Sequence, residues 1–331
     1  MNYKALIVRE TKSNQFEKKI ELVDESFLHQ NEVLIKVAYS GLNYKDALVA
    51  RGHKGISRNY PTIPGVDVSG IVENDQSGTF KKGDKVLVTG YDLGMNTPGG
   101  FAEYVKVPTN WIIPLPKELS LKESMIYGTA GVTAALCVYE LIEAGISKDK
   151  GKILVTGSTG GVGSFAVAIL SKLGYDVIAS TGKKESHKFL NMLGAKEIIG
   201  REDVNDESGR PLLSAKWIGA IDNVGGNTLS TIIASTGQHG AVCSVGLVGN
   251  DKLNSTVYPF ILRGIKLIGI DSAERQLELK KKVWEHLATD WRPEFLNKMY
   301  RIVDLDNVIP EIESILQGNQ TGKVLIKVSD V

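Results

Sequence analysis

The chain has 331 residues, too many for one ordinary core, so two domains are expected. With 42% hydrophobic and 23% charged residues its composition is that of a globular protein, and a formal net charge of +1 gives no bulk field that would gather nucleic acid or an anionic membrane. Its two cysteines, Cys137 and Cys243, are too few for a disulfide framework or a four-cysteine zinc site, and are expected as buried free thiols in a reducing cytoplasm.

The first residues, Met1 to Val8, run directly into a strand-like stretch, without the apolar core and cleavage site of a signal peptide. No segment approaches the ~18 uninterrupted apolar residues of a membrane span. The first third reads as β-structure. Tyr3–Val8, Glu32–Tyr39, Val66–Glu73, Lys85–Thr89 and Ala102–Val107 are short runs rich in β-branched residues. Pro61, Pro64, Gly65, the Lys82-Gly83-Asp84 turn and Pro98-Gly99-Gly100 punctuate them, as in a barrel-like or sandwich-like domain.

The texture changes near Leu121. Ser124–Ala144 suits helices, and strands then alternate with helices. Six strands are expected, at Lys152–Thr156, Asp176–Ser180, Glu197–Ile199, Trp217–Asn223, Ala241–Val245 and Lys266–Ile270. Helices are expected at Gly163–Leu173, with Val167, Leu170 and Leu173 buried, and at Glu185–Leu193. Such alternation predicts a doubly wound parallel sheet. Leu277–Leu287 and Val308–Leu316 read as helices, and Lys323–Val328 as a strand that returns to the first domain.

The strongest chemical signal is Gly157-Ser158-Thr159-Gly160-Gly161-Val162-Gly163, which follows an apolar strand and opens a helix. A pyrophosphate needs outward-pointing N–H groups and no side chain in its way. Gly160 and Gly161 permit that approach, and Gly163 lets helix and strand pack closely. The second strand ends in Ser180-Thr181-Gly182-Lys183-Lys184, with no carboxylate to hold a ribose 2′-hydroxyl. Lys183, with Arg201 after the third strand, can accept a 2′-phosphate, so the expected cofactor is NADPH.

Four segments carry a family resemblance: Ser40-Gly41-Leu42-Asn43-Tyr44-Lys45-Asp46, Ile63-Pro64-Gly65-Val66-Asp67-Val68-Ser69-Gly70, Gly83-Asp84-Lys85-Val86 and Gly100-Phe101-Ala102-Glu103-Tyr104. Through them the chain resembles the medium-chain dehydrogenase/reductase superfamily over nearly its whole length. Asn43–Leu48 and Phe260–Gly264 make it most similar to the YhdH/YhfP branch of the quinone oxidoreductase group, whose members include acrylyl-coenzyme A reductases.

The resemblance implies an α/β protein. A GroES-like β-rich catalytic domain is expected over 1–123 and 296–331, with an inserted Rossmann NADPH-binding domain and six-stranded parallel sheet over 124–295. It also implies a zinc-free site. The zinc members' first ligand falls at Asn43 and their histidine-glutamate pair at Val66 and Asp67, neither of which supplies a thiolate or imidazole. The five histidines show no metal-like spacing.

The implied reaction is hydride addition to an activated carbon-carbon double bond, with acryloyl-CoA or a similar enoyl thioester as substrate. A quinone is the alternative acceptor, and a non-enzymatic NADPH-binding sensor the alternative from another class. Catalytic candidates are Tyr44 as hydrogen-bond or proton donor, Asn43 as amide donor to the oxyanion, Asp46 as an orienting residue, and Arg263 as a phosphate contact or brace. Cofactor contacts are expected from Tyr44, from Thr159, Gly160, Gly161, Val162 and Gly163 of the turn, and from Ser180, Thr181, Gly182, Lys183 and Arg201. By resemblance Leu247, Ile261, Ser272 and Asn319 join them. A cytoplasmic homodimer paired through the sixth strand is also implied.

Overall fold

The structure is a computed structural model describing residues 1–12 and 14–331. The chain divides into two compact units. One comprises Met1–Thr129, Ala273–Ala288 and Asn297–Val331; the other comprises Ala130–Ser272 and Thr289–Leu296.

The first unit is built around the strand Val33–Leu42, whose Val33, Ile35 and Val37 alternate into a fully buried face. It pairs antiparallel with Asp67–Asp75, with Tyr104–Val107 and with the C-terminal strand Lys323–Lys327. Val324 stands opposite Leu42, so the last strand does return to the first domain. Its other edge carries Tyr300–Asp304 in parallel. A separate hairpin joins Tyr3–Lys12 to Gln15–Val23. That second hairpin strand and Tyr300–Asp304 were not anticipated. Both are largely exposed and rich in charged residues, so neither has the apolar run that marks a buried strand. Tyr3, Leu6, Ile63 and Phe101 pack with Val308 and Ile312 of the helix Val308–Leu316 in one core cluster.

The second unit contains the six-stranded parallel sheet that the sequence predicts. Its spatial order is Glu197–Ile199, Val177–Ser180, Ile153–Val155, Trp217–Asp222, Thr236–Ser244 and Lys266–Gly269. In sequence order this is 3-2-1-4-5-6, the doubly wound arrangement whose direction reverses beside the first strand. The helix Gly161–Lys172 starts two residues before the expected Gly163, and residues Gly163 to Leu170 are all buried. Leu173 caps its end half-buried rather than lying on a buried stripe. The next helix is shorter than expected: a 3-10 turn at Lys184–Ser186 precedes His187–Met192. Cys137 and Cys243 are free and buried, and the Cys243 Sγ lies 3.5 Å from the Cys137 carbonyl oxygen.

The helical element Leu121–Glu143 is long and apolar enough to cross a bilayer, but most of it is buried within the protein. It is broken at Gly128, whose φ of 48° and ψ of −154° are not helical. The break frees the Thr129 N–H to leave the helical ladder, which matters for the site below.

Candidate active site

The cofactor cradle begins where the strand Ile153–Val155 ends. Ser158 is buried and its hydroxyl donates to the carbonyls of Val155 and Ser180, so its polar atoms point inward. Thr159 is buried beside it, whereas Gly160, Gly161 and Val162 are partly exposed. Gly160 is the N-cap of Gly161–Lys172 and no side chain caps that helix. The first-turn N–H groups of Gly161, Val162 and Gly163 have no carbonyl earlier in the helix to receive them, and they sit at its positive end. A Cβ on Gly163 would lie 2.3 Å from the Gly157 carbonyl oxygen, so the tight turn requires glycine there. An uncapped helix start opening on Gly160 and Gly161 fits a pyrophosphate.

At the end of the second strand, Thr181 is buried and its hydroxyl accepts from the Lys183 N–H at 3.1 Å. Ser180 donates its hydroxyl to the Gly200 carbonyl at 3.2 Å. Arg201 lies against Gly182, since a Cβ at Gly182 would stand 2.7 Å from the Arg201 Nε. Lys183 is half-buried, and its ammonium is held below the ordinary lysine value by burial, with the Arg201 charge acting in the same direction and Glu185 against it. The structure thus brings Gly182, Lys183 and Arg201 together as a patch of positive charge, fit for a dianionic phosphate.

In the first unit, Asn43 and Asp46 start the helix Tyr44–Ala50. Asp46 is fully buried, and its carboxylate accepts the N–H groups of Asn43 at 2.8 Å, Gly65 at 3.0 Å and Val66 at 2.9 Å. Burial, and then the charge of Asp67, push it up to about 7, against those N–H donors and Lys323. It ties the start of its own helix to the Gly65-Val66 segment, which is an orienting role. Tyr44, the first helical residue, is 44% exposed, and among the described residues no partner holds its hydroxyl.

Asn43 is placed differently from the expectation. Its Nδ2 donates to the Gly41 carbonyl at 2.9 Å and to Asp67 Oδ2 at 2.7 Å, while its Oδ1 accepts from the Lys323 ammonium at 2.7 Å. Both amide hydrogens are consumed inside the protein, so Asn43 has none for an oxyanion. Asp67 also receives the Thr129 N–H and hydroxyl at 2.8 and 2.6 Å and lies 3.3 Å from Lys323 Nζ. The positions matching the first zinc ligand and the glutamate of the zinc enzymes are therefore bridged by a lysine side chain. Among the described residues no group of three or more His, Cys, Asp or Glu is arranged to hold a metal.

Of the two roles expected of Arg263, phosphate contact or brace, the contacts are those of a brace. Its guanidinium donates to the carbonyls of Ala234 at 3.0 Å, Thr236 at 2.9 Å and Leu213 at 2.5 Å. It clamps the turn after the helix Gly226–Ala234 to the carbonyl of Leu213. Leu247 and Ile261 are exposed, and Ser272 accepts the Thr133 hydroxyl at 2.7 Å. Asn319 lies in the first unit, where its side chain donates to Gln317 Oε1 at 3.1 Å.

Two polar centres escaped the sequence reading. Lys323 and Thr129 lie far from Asn43 in sequence and only the fold assembles them. Asp222 ends the fourth strand of the second unit, buried, accepting the Thr156 hydroxyl at 2.6 Å and the N–H groups of Val224 at 3.2 Å and Gly225 at 2.7 Å. Burial holds its carboxyl above the usual range despite those bonds. It ties the first strand to the fourth where the sheet order reverses, and an acid closing an apolar strand was the available signal.

Residues 29–117 match the family described as alcohol dehydrogenase GroES-like domain, and residues 161–289 match the zinc-binding dehydrogenase family. The chain is 45% identical over 309 residues to the putative quinone oxidoreductase YhfP of Bacillus subtilis, covering 93% of this chain and 94% of that one. It is 38% identical over 328 residues to the acrylyl-CoA reductase AcuI of Ruegeria pomeroyi, covering 99% of each. The crystal structure of the Salmonella enterica yhdH oxidoreductase in complex with NADP superimposes with a TM-score of 0.95 at 38% identity, over 99% of this chain and 100% of that one. That of Bacillus subtilis yhfP with NAD bound superimposes at 0.96 and 43% identity, over 99% of each. A β-rich GroES-like unit, a doubly wound Rossmann unit and full-length kinship at these identities have one reading: the chain belongs to the medium-chain dehydrogenase/reductase family, in the branch of YhfP, YhdH and AcuI.

Proposed function

We propose that this chain is an NADPH-dependent reductase of activated carbon-carbon double bonds, with acryloyl-CoA or a similar enoyl thioester as its substrate. The coarser statement, an NADP(H)-dependent oxidoreductase of this family, stands on the relatives and on the cradle. The finer one is carried by a single observation: Asn43 and Asp67 are tied to each other and to the Lys323 ammonium. Side chains so committed, with a cation already among them, are a poor donor set for a Lewis-acidic metal. An electron-poor alkene conjugated to a carbonyl is the acceptor that needs least polarisation. The likeness to an acrylyl-CoA reductase supports the same choice.

The residues of the turn Gly157–Gly163 would hold the pyrophosphate of NADPH, and Lys183 with Arg201 its 2′-phosphate; bound there, the cofactor supplies a hydride. An enoyl thioester reduced at its β-carbon carries negative charge on its carbonyl oxygen and takes up a proton at its α-carbon. We assign the hydrogen bond to that oxygen, or the proton, to the Tyr44 hydroxyl, which is exposed and uncommitted. Asp46 holds the start of the Tyr44 helix. Leu247 and Ile261 are assigned to the nicotinamide's surroundings, and Ser272 and Asn319 to weaker contacts.

The second unit also exposes Val248, Val257, Tyr258 and Leu262, and its sheet ends in the open edge of Lys266–Gly269. An apolar surface beside an unpaired strand edge supports pairing with a second copy, and we assign the protein as a homodimer. Two buried, unpaired thiols support a cytoplasmic location.

The deciding experiment follows NADPH absorbance with acryloyl-CoA and, in parallel, with a simple benzoquinone, each repeated with NADH. Rapid oxidation with acryloyl-CoA alone supports the enoyl reductase. Oxidation with the quinone alone moves the assignment to a quinone reductase, the reading that the YhfP likeness favours.

A further inference from the structure

A lysine ammonium and an aspartate carboxylate buried together are an expensive way to fill a core. Lys323 is 1% exposed and Asp67 0%, and taking both charges out of water carries a penalty that their attraction only partly returns. A pair of apolar side chains would serve packing as well. What the charges do that apolar groups cannot is fix an amide. Asn43 needs one donor at its Oδ1 and two acceptors at its Nδ2, and it finds Lys323, the Gly41 carbonyl and Asp67 in those places. Turning the amide over would set its NH2 against an ammonium and its oxygen against a carboxylate and a carbonyl. The orientation is therefore determined by charge on both sides.

Asn43 in turn caps the helix whose first residue is Tyr44, and its own N–H is held by Asp46 at 2.8 Å. We propose that Lys323, paired with Asp67, is a positioning residue: it locks the Asn43 amide and thereby sets the direction in which the Tyr44 hydroxyl is presented. The proposal rests on the role given to Tyr44 above. It assigns to the C-terminal strand a part in the chemistry that no feature of the Tyr44 segment discloses.

The test compares Lys323→Met, Asp67→Asn/Lys323→Met, Tyr44→Phe and Tyr44→Phe/Lys323→Met in the full chain. The readouts are kcat with whichever acceptor the wild type turns over fastest, Kd for NADPH by fluorescence, and amide hydrogen exchange. The double variant removes both charges, so it leaves no unpaired buried ion and keeps the question open to test if Lys323→Met alone does not fold. We expect kcat to fall ~10-fold or more in both Lys323 variants with Kd for NADPH unchanged within ~2-fold, and no further fall when Lys323→Met is added to Tyr44→Phe. Amides of Asp46 to Ala50 should exchange faster in the double variant, while those of Val68 to Val72 stay protected. Wild-type kcat in the double variant, or losses that multiply in Tyr44→Phe/Lys323→Met, would overturn the proposal. If Tyr44→Phe alone keeps full kcat, it is the role of Tyr44 that fails; exchange then decides separately, and unchanged protection of Asp46 to Ala50 overturns the lock itself.

Discussion

Asp67 receives both the N–H and the hydroxyl of Thr129, at 2.8 and 2.6 Å, because the helix breaks one residue earlier at Gly128. A Cβ at Gly128 would stand 2.2 Å from Asp67 Oδ2, and φ there is +48°. Gly128→Ala therefore has to displace the carboxylate that the buried network is built on. We predict a loss of roughly 2–4 kcal/mol of stability, from an unfavourable backbone and a broken buried ion pair, read as a lower midpoint in urea unfolding. An unchanged midpoint would mean that the network is not under constraint there.

Asp46 gives the protein a pH dependence of definite sign. Its carboxyl rises from 3.8 to about 7 on folding, so between those values the native state holds the proton more tightly than the unfolded chain. The stabilisation from this group is complete below about pH 4 and is lost as the pH climbs to about 7. In urea unfolding at pH 5 and pH 8, the stability of wild type relative to Asp46→Asn should decrease on going to pH 8. The opposite change would place the folded carboxyl below its unfolded value.

Tyr44→Phe removes only a hydroxyl from an exposed ring. If that hydroxyl serves the oxyanion or the proton, kcat falls about 100-fold while Kd for NADPH is unaltered, a size typical of a lost general acid. Wild-type kcat in this variant would take the hydroxyl out of the chemistry.

Lys183→Ala and Arg201→Ala test cofactor choice. Each removes a charge facing the proposed 2′-phosphate, so each should lower kcat/KM for NADPH by roughly 10- to 100-fold and leave the value for NADH nearly unchanged. The ratio of the two cofactors in steady-state kinetics is the measurement. Equal losses with both would assign these cations to the fold.

Leu262→Asp places a charge on the exposed apolar surface beside the edge strand. If the proposed homodimer pairs through this surface, sedimentation equilibrium should show half the wild-type particle mass with the melting transition still cooperative. An unaltered mass would overturn this surface as the contact of the proposed dimer.

Most of the architecture was legible in the sequence because it follows from periodicity and glycine placement. All six strands of the parallel sheet are where their apolar runs predict, and the glycine turn is readable because its glycines follow from tight backbone geometry. The hairpin strand Gln15–Val23 was missed since its charged residues hide a pairing that only the main chain makes. The role of Asn43 as an oxyanion donor was misjudged, and that of Arg263 left open, for one reason. A sequence displays what a side chain is able to donate, and it does not display which carbonyls and carboxylates the fold brings within 3 Å to take it. Lys323 was invisible as a site residue for the converse reason: nothing local marks a lysine in an apolar strand as the partner of a residue 280 positions earlier.

The return of Lys323–Lys327 to the edge of Val33–Leu42 has a bearing on how the polypeptide matures. During synthesis the second unit, nearly contiguous from Ala130 to Ser272, emerges with its whole sheet and can fold as it leaves the ribosome. The first unit, though begun earlier, stays without one of its inner strands and without the cation for Asp67 until Lys323–Lys327 has been made. The domain whose translation starts first is completed only after the second has been made.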